Sequence, residues 1–284
     1  MIDLHIHSNY SDGELNPYEI VDKCIKNGVN KMSITDHDTI EAYNDELFEY
    51  CKKNNIEIIT GVEISTKYNN KGIHVLGYNI DINNKELLNK LESLRNSRHN
   101  YLYKVGNKLK ELGYIVNIDE LDKIDSVTKA HIASNIVNNE KNNDILSKVF
   151  NHIPSKGEFI ETIMNEGCPA YVEKEHITPS EASKLIKNAH GKVILAHPVA
   201  YTYEDGLNEN DILEIINKMD IDGIEANYIY IDRNNIKHND IDKWNKFAKK
   251  YNLEVTTGSD FHQEDGIHPT IGLLNEDIYI YFMK

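Results

Sequence analysis

Cysteine is scarce in this chain and badly placed for crosslinking. Cys24, Cys51 and Cys168 are odd in number and far apart, and two of them fall on apolar faces of expected helices. Such a set excludes a disulfide framework and reads as reduced thiols. Positive charge is also short: 31 Lys and Arg face 46 Asp and Glu, a formal net charge of −15. A surface that grips long polyanions needs the opposite balance, so no extended duplex nucleic acid is expected as a partner. No segment approaches 18 consecutive apolar residues, and the N-terminus opens on a strand pattern instead of a charged-then-apolar leader. The expectation is a cytoplasmic protein with no membrane partner. Internal repeats and low-complexity tracts are missing too. What remains is an ordinary globular composition, 40% hydrophobic and 27% charged, in a 284-residue chain long enough for one large domain or a domain with an insertion.

What is present begins with "DLHIHSNYSDG". Ile2, Leu4 and Ile6 alternate with Asp3, His5 and His7, the period of a strand, so His5 and His7 share a face and Asp12 follows in the loop. Taken alone, two imidazoles and a carboxylate are either the start of a metal site or polar side chains inside a barrel. In "NPYEIVDKCIKNG", Asn16 caps a helix, Pro17 opens it, Glu19 completes a capping box and Gly28 ends it. "KMSITDHD" reads as a strand, residues 42–54 as a helix, and "IEIITG" and "IHVLGYNI" as further strands. From about Asn83 the pattern turns helical: Leu87, Leu91, Leu94, Leu102, Val105, Leu109 and Leu112 mark a long helix closed by Gly113. Alternation resumes with the capped helix "TPSEASKLIKNAHG" and the strands "KVILAHP", "DGIEAN" and "EVTTGSD", separated by helices near 211–219 and 240–251. The pattern predicts a parallel α/β core over 1–82 and 176–284 and a helical insertion over 83–175. About seven strands fit a barrel better than an open sheet.

The unusual polar residues fall at the ends of the expected strands: His5 and His7, Asp36 and His37, Glu63, His197, and Asp260 with His262. In a (β/α) barrel the carboxyl ends of the strands gather at one mouth, so these residues are expected to converge. Bound dications would also supply the positive charge that the composition lacks, making a small anionic substrate compatible with an acidic protein.

At this point the chain resembles the polymerase and histidinol phosphatase (PHP) superfamily of metal-dependent phosphoesterases. The matching pieces are "DLHIHSNYSDG", "SITDHDT", "GVEIS", "HVLGY", "KAHIA", "ILAHP" and "GSDFH", in family order over nearly the whole chain. The stretch from "AHIA" through "ILAHP" is most similar to the branch of 3′,5′-nucleoside bisphosphate phosphatases and 5′-to-3′ exoribonucleases. The resemblance implies a distorted (β/α)7 barrel with a small helical insertion, holding two or three divalent ions of Mn, Zn or Fe. It implies that His5, His7, Glu63 and Asp260 hold one ion, that Glu63 bridges to a second held by His74 and His131, and that Asp12, His37 and His262 hold a third. His197 is a candidate phosphate contact or proton donor, and Asp36 a further catalytic candidate. Arg98 and Lys129 would contact substrate from the insertion, with Lys129 standing where the family usually has Arg. Lys is a point charge and lacks the bidentate fork that Arg offers phosphate. The implied substrate is a small phosphorylated nucleotide or short oligonucleotide, most of all the 3′-phosphate of a 3′,5′-bisphosphonucleotide. Histidinol-phosphate phosphatase and a catalytically silent metal-binding module are the alternatives.

Overall fold

In a computed structural model the described residues are 1–124, 127–173 and 176–272, without the side chain of Arg98. The chain divides into two compact units, Met1–Leu91 with His176–Lys284, and Glu92–Glu175. The first carries β1 (Ile2–Ile6), α1 (Pro17–Asn27), β2 (Lys31–Ile34), α2 (Asp45–Lys53), β3 (Glu57–Ile58), β4 (Gly61–Tyr68) and β5 (Lys71–Tyr78). The division falls within α3 (Lys85–Glu111), nine residues beyond the expected start of the insertion at 83. The insertion holds α4 (Ile118–Leu121), α5 (Lys129–Val137), α6 (Asn143–Phe150) and α7 (Lys156–Phe159) around a core that includes Leu102, Leu109, Ile132, Leu146 and Phe159. The first unit then resumes with α8 (Pro179–Asn188), β6 (Lys192–Leu195), α9 (Pro198–Asp205), α10 (Glu209–Ile216), β7 (Gly223–Asn227), β8 (Tyr230–Ile231), β9 (Lys237–His238), α11 (Ile241–Tyr251) and β10 (Glu254–Thr257).

Local chemistry explains the helix limits. Asn16 accepts from the backbone N–H of Glu19, whose carboxylate returns to the N–H of Asn16, and Gly28 closes α1 at φ 75° in the left-handed region that glycine tolerates. Thr178 and Glu181 build the same box on α8. Cys24 and Cys51 are fully buried on α1 and α2, and neither they nor Cys168 forms a disulfide.

Among the described residues the strands form two main ladders, β1-β2-β3 and β10-β7-β6-β5-β4, and a small β8-β9 hairpin. The expected parallel core holds in part: β4 pairs β5 and β5 pairs β6 antiparallel, while the other pairs in the two main ladders are parallel. The reason is local. Only Asn69 and Asn70 separate β4 from β5, both at positive φ (46° and 65°), and a two-residue turn of this kind can only reverse the chain. The strand expected at "IEIITG" is correspondingly split, with most of the pairing carried by Gly61–Tyr68. No ladder closes on itself among the described residues. Single bridges, Ile6 to Phe261 and His37 to Glu63, join the two main sheets instead.

Irregularities in pairing lie where the polar side chains do. The β1-β2 register shifts between Asp3 and Ile6, and the β7-β10 register shifts between Val255 and Thr257. An extra residue at such a point re-aims the side chains that follow. Beneath them, Leu4, Ile59, Leu76, Tyr78, Ile194 and Ala196 form an apolar floor.

Candidate metal centre

The bridges between the sheets are what assemble the site. His7 N–H donates to the Phe261 carbonyl and Asp260 N–H to the His5 carbonyl, so the first and last donor segments share backbone hydrogen bonds. Glu63 N–H donates to the Asp36 carbonyl and Asp38 N–H to the Glu63 carbonyl, which ties the end of β2 to β4. Side chains as distant in sequence as His5 and Asp260 are thereby brought within 3.3 Å of each other.

Glu63 is the hub. Its Oε2 lies 3.4 Å from His5 Nε2, 3.3 Å from His7 Nε2 and 3.0 Å from His37 Nδ1, while its Oε1 lies 3.0 Å from His74 Nδ1 and 3.2 Å from His197 Nε2. One fully buried carboxylate thus faces five imidazoles, three on one oxygen and two on the other. Asp260 Oδ1 approaches His5 Nε2 and His7 Nε2 at 3.3 and 3.1 Å. Asp12 lies 3.6 Å from His7 Nδ1, 3.8 Å from His37 Nε2 and 3.4 Å from His262 Nε2. Among the described residues three sets have donor atoms within 4.8 Å of one another: His5, His7, Glu63 and Asp260; His37, Glu63 and His74; and His7, Asp12, His37 and His262. Relative to the sets that the resemblance implied, His7 also joins Asp12, and His37 also joins Glu63 and His74.

These donors are poised for a cation. His5 Nδ1 donates to the Glu225 carboxylate at 3.0 Å, so a neutral ring presents a bare Nε2, and that atom sits 3.2 Å from His7 Nε2. His262 Nδ1 donates to the Asp260 carbonyl at 2.9 Å, leaving its Nε2 toward Asp12. A partner that fixes the tautomer and aims the other nitrogen is what metal-ligating histidines require. Asp12 Oδ1, Glu63 Oε2 and His74 Nδ1 are buried with no well-formed hydrogen bond, although nitrogens or oxygens lie 3.0–3.6 Å away. Lone pairs aimed at a shared point, and not at each other's hydrogens, are how a coordination site looks. Nitrogen and carboxylate donors without thiolate suit Zn, Mn or Fe.

The electrostatics agree. Burial opposes charge on Glu63, yet His37, His74 and His5 hold its carboxyl well below the usual range. Asp260 is held low by His5 and His262, again against burial, and Asp12 by His37 and His262. Burial also works against charge on His7, but Asp260 and Glu63 push it up to about 10; Glu225, Asp260 and Glu63 likewise overcome burial to raise His5 well above the ordinary imidazole value. His37 goes the other way: burial pushes it down to about 3 in spite of Glu63 and Asp12. The centre is a nest of stabilised carboxylates that draws protons onto His5 and His7, a demand for positive charge that dications meet without protons.

The surrounding residues show what sequence reasoning missed. Glu225 holds His5 and also accepts from the His197 backbone N–H at 3.0 Å. Tyr228 donates to Asp260 Oδ2 at 3.1 Å, and Asp3 accepts from the N–H groups of His5, Ser259 and Gly272. Gly258 leaves the room this needs, since a Cβ there would stand 2.1 Å from His5 Cβ and 2.5 Å from Glu225 Oε1. Asp38, His197 and Asp260 adopt positive φ of 52°, 25° and 53°, backbone strain that the surrounding contacts must hold in place.

Of the other expected site residues, Asp36 is buried and its oxygens accept from Ser8 N–H (2.7 Å), Ser8 Oγ (2.6 Å) and Ser11 Oγ (2.6 Å). Its carboxylate anchors the loop that carries Asp12. His131 and Lys129 lie on α5 of the insertion. There His131 Nδ1 accepts from the Thr128 N–H at 3.1 Å, so a neutral ring carries its proton on Nε2, and Lys129 Nζ donates to Asn165. The Arg98 side chain lies outside the described residues.

The PHP domain family matches residues 3–257. A 5′-3′ exoribonuclease of Haemophilus influenzae is 32% identical over 262 residues, covering 92% of this chain and 89% of that one. A 3′,5′-nucleoside bisphosphate phosphatase of Chromobacterium violaceum is 26% identical over 265 residues, covering 92% and 87%. The solved structure of an amidohydrolase from Chromobacterium violaceum, with bound sulfate and no metal, shares the fold at a TM-score of 0.73 and 24% identity, covering 97% of this chain and 92% of that one. With a match that runs from the strand bearing His5 and His7 to the strand that leads into Asp260, this chain belongs to the PHP domain family.

Proposed function

We propose that this phosphoesterase hydrolyses a phosphate ester of a small nucleotide, with the 3′-phosphate of 3′,5′-bisphosphonucleotides as its main substrate and 5′-phosphorylated short RNA as a second. The substrate class rests on the activities named for the Haemophilus and Chromobacterium relatives. The chemistry rests on Glu63, whose two oxygens face separate groups of imidazoles. His5, His7, Glu63 and Asp260 would hold one ion, Glu63 and His74 a second with His37 nearby, and Asp12, His37 and His262 a third. Such ions supply an activated water for attack on phosphorus and positive charge for the phosphate oxygens. His131 and Lys129 enter as an additional ligand and a phosphate contact through the family pattern alone, as does Arg98. The bridges that join the two ladders support a distorted barrel, and the free cysteines fit a cytoplasmic setting.

The protein's own groups then have distinct tasks. Glu225 and Tyr228 fix the directions of His5 and Asp260, and Asp36 fixes the loop behind Asp12. His197 turns Nε2 to Glu63, and its buried Nδ1 makes no hydrogen bond. It is our candidate to give a proton to the leaving oxygen or to grip the phosphate. A panel assay with Mn²⁺ tests the reading. Turnover of 3′,5′-bisphosphoadenosine or 5′-phosphorylated short RNA is expected; turnover of histidinol phosphate with neither nucleotide touched would overturn the substrate assignment.

A further inference from the structure

A cavity of about 480 Å³ opens beside Asp260 and His262, within the size range of small-ligand sites. Its far wall is the β8-β9 hairpin, including Tyr230 and, in the turn, Arg233. That turn is built rigidly. Asp232 Oδ1 accepts from the N–H groups of Asn234 (2.8 Å) and Ile236 (2.9 Å), its Oδ2 lies 3.0 Å from His238 Nε2, and its own N–H donates to the Ile236 carbonyl. Behind the hairpin, the rings of Tyr203 and His238 stack at 3.7 Å, and His238 is nearly parallel to Tyr230 at 5.9 Å. The Tyr230 hydroxyl donates to Glu204. The Tyr230 hydroxyl thus ties Glu204 to the hairpin, Asp232 braces its own turn, and Asp260 belongs to the donor cluster. Among the described residues lining the cavity, Arg233 is the one side chain with a permanent positive charge. It is also the only arginine in the unit that carries the donors, because the chain's other two are Arg95 and Arg98.

We propose that Arg233 recognises the phosphate that is not hydrolysed, so that the hairpin selects nucleotides bearing two phosphates over those bearing one. The inference rests on the proposed activity. The reacting phosphate must lie at the donor cluster, and the cavity leads from there to a cation mounted on a prebuilt turn. A guanidinium suits a phosphate because its planar fork can give two parallel hydrogen bonds.

The test compares kcat/KM on 3′,5′-bisphosphoadenosine and on 3′-AMP for the wild type, Arg233→Ala and Arg233→Lys, all with Mn²⁺. The wild type should prefer the bisphosphate. Arg233→Ala should reduce that preference by about ten- to a hundred-fold, chiefly through KM, as expected for loss of a charge-assisted contact. Arg233→Lys, which keeps the charge without the fork, should recover part of it and serves as the folded control. An active wild type with no preference, or a preference unchanged in Arg233→Ala, overturns the assignment and leaves the proposed activity standing. A wild type inert on both substrates removes the bisphosphonucleotide activity and this inference together.

Discussion

At the scale of single residues, Glu63 and Glu225 make different predictions although both are buried carboxylates near His5. Glu63→Gln keeps the shape but removes the charge that five imidazoles face. It should lower turnover by about three orders of magnitude and deplete bound metal, read by elemental analysis of the purified protein. Glu225→Gln leaves every proposed ligand in place but loosens His5, so a loss of about 10- to 100-fold in metal affinity or activity is expected. Asp36→Asn bears on its own assignment: if the carboxylate only anchors Ser8 and Ser11, the variant should lose about 1–3 kcal/mol of stability in thermal unfolding while retaining metal. His5, His7, His37, Asp260 and His262 were legible because each ends a strand in a motif with other donors. Glu225 was not, because "DGIEAN" reads as any buried strand and its partner His5 is 220 residues away. Tyr228 was hidden for the same reason, since a hydroxyl that aims a carboxylate leaves no spacing to read.

At the scale of elements, the helices were the easiest to read, because Asn16 with Glu19 and Thr178 with Glu181 are caps written within four residues. The β4-β5 hairpin was harder. Its signal is the pair Asn69-Asn70, and Asn at positive φ announces a reversal less loudly than glycine. The turn is testable: replacing both residues with Ala forces two Cβ-bearing side chains of poor left-handed tolerance into that region and should cost about 2 kcal/mol, measured by denaturant unfolding of the metal-loaded protein. Because β4 carries Glu63 and β5 carries His74, the same variant should also weaken metal binding. The split into two ladders could not be read from alternation, since bridges as short as Ile6 to Phe261 depend on where remote strands arrive.

At the scale of the whole molecule, a ligand that binds only the folded state stabilises it, so adding Mn²⁺ to the stripped protein should raise the unfolding midpoint. The effect should depend on pH. In the metal-free fold His7 titrates near 10, against about 6.5 in an unfolded chain, so its contribution to stability is fully present below about pH 6.5 and lost as pH climbs through 10. Dications compete with those protons and bind more tightly as they leave. The gain in midpoint on adding Mn²⁺ should therefore widen from pH 6.5 to pH 9, and a constant or shrinking gain would count against the donor assignment. The shared carboxylate has one more consequence. Because the same Glu63 side chain serves both flanks of the cluster, neither flank can be emptied without turning or recharging a donor of the other. Chelator titration should therefore strip the protein in a single steep step, with half-loaded molecules scarce, and the catalyst should behave as either whole or absent.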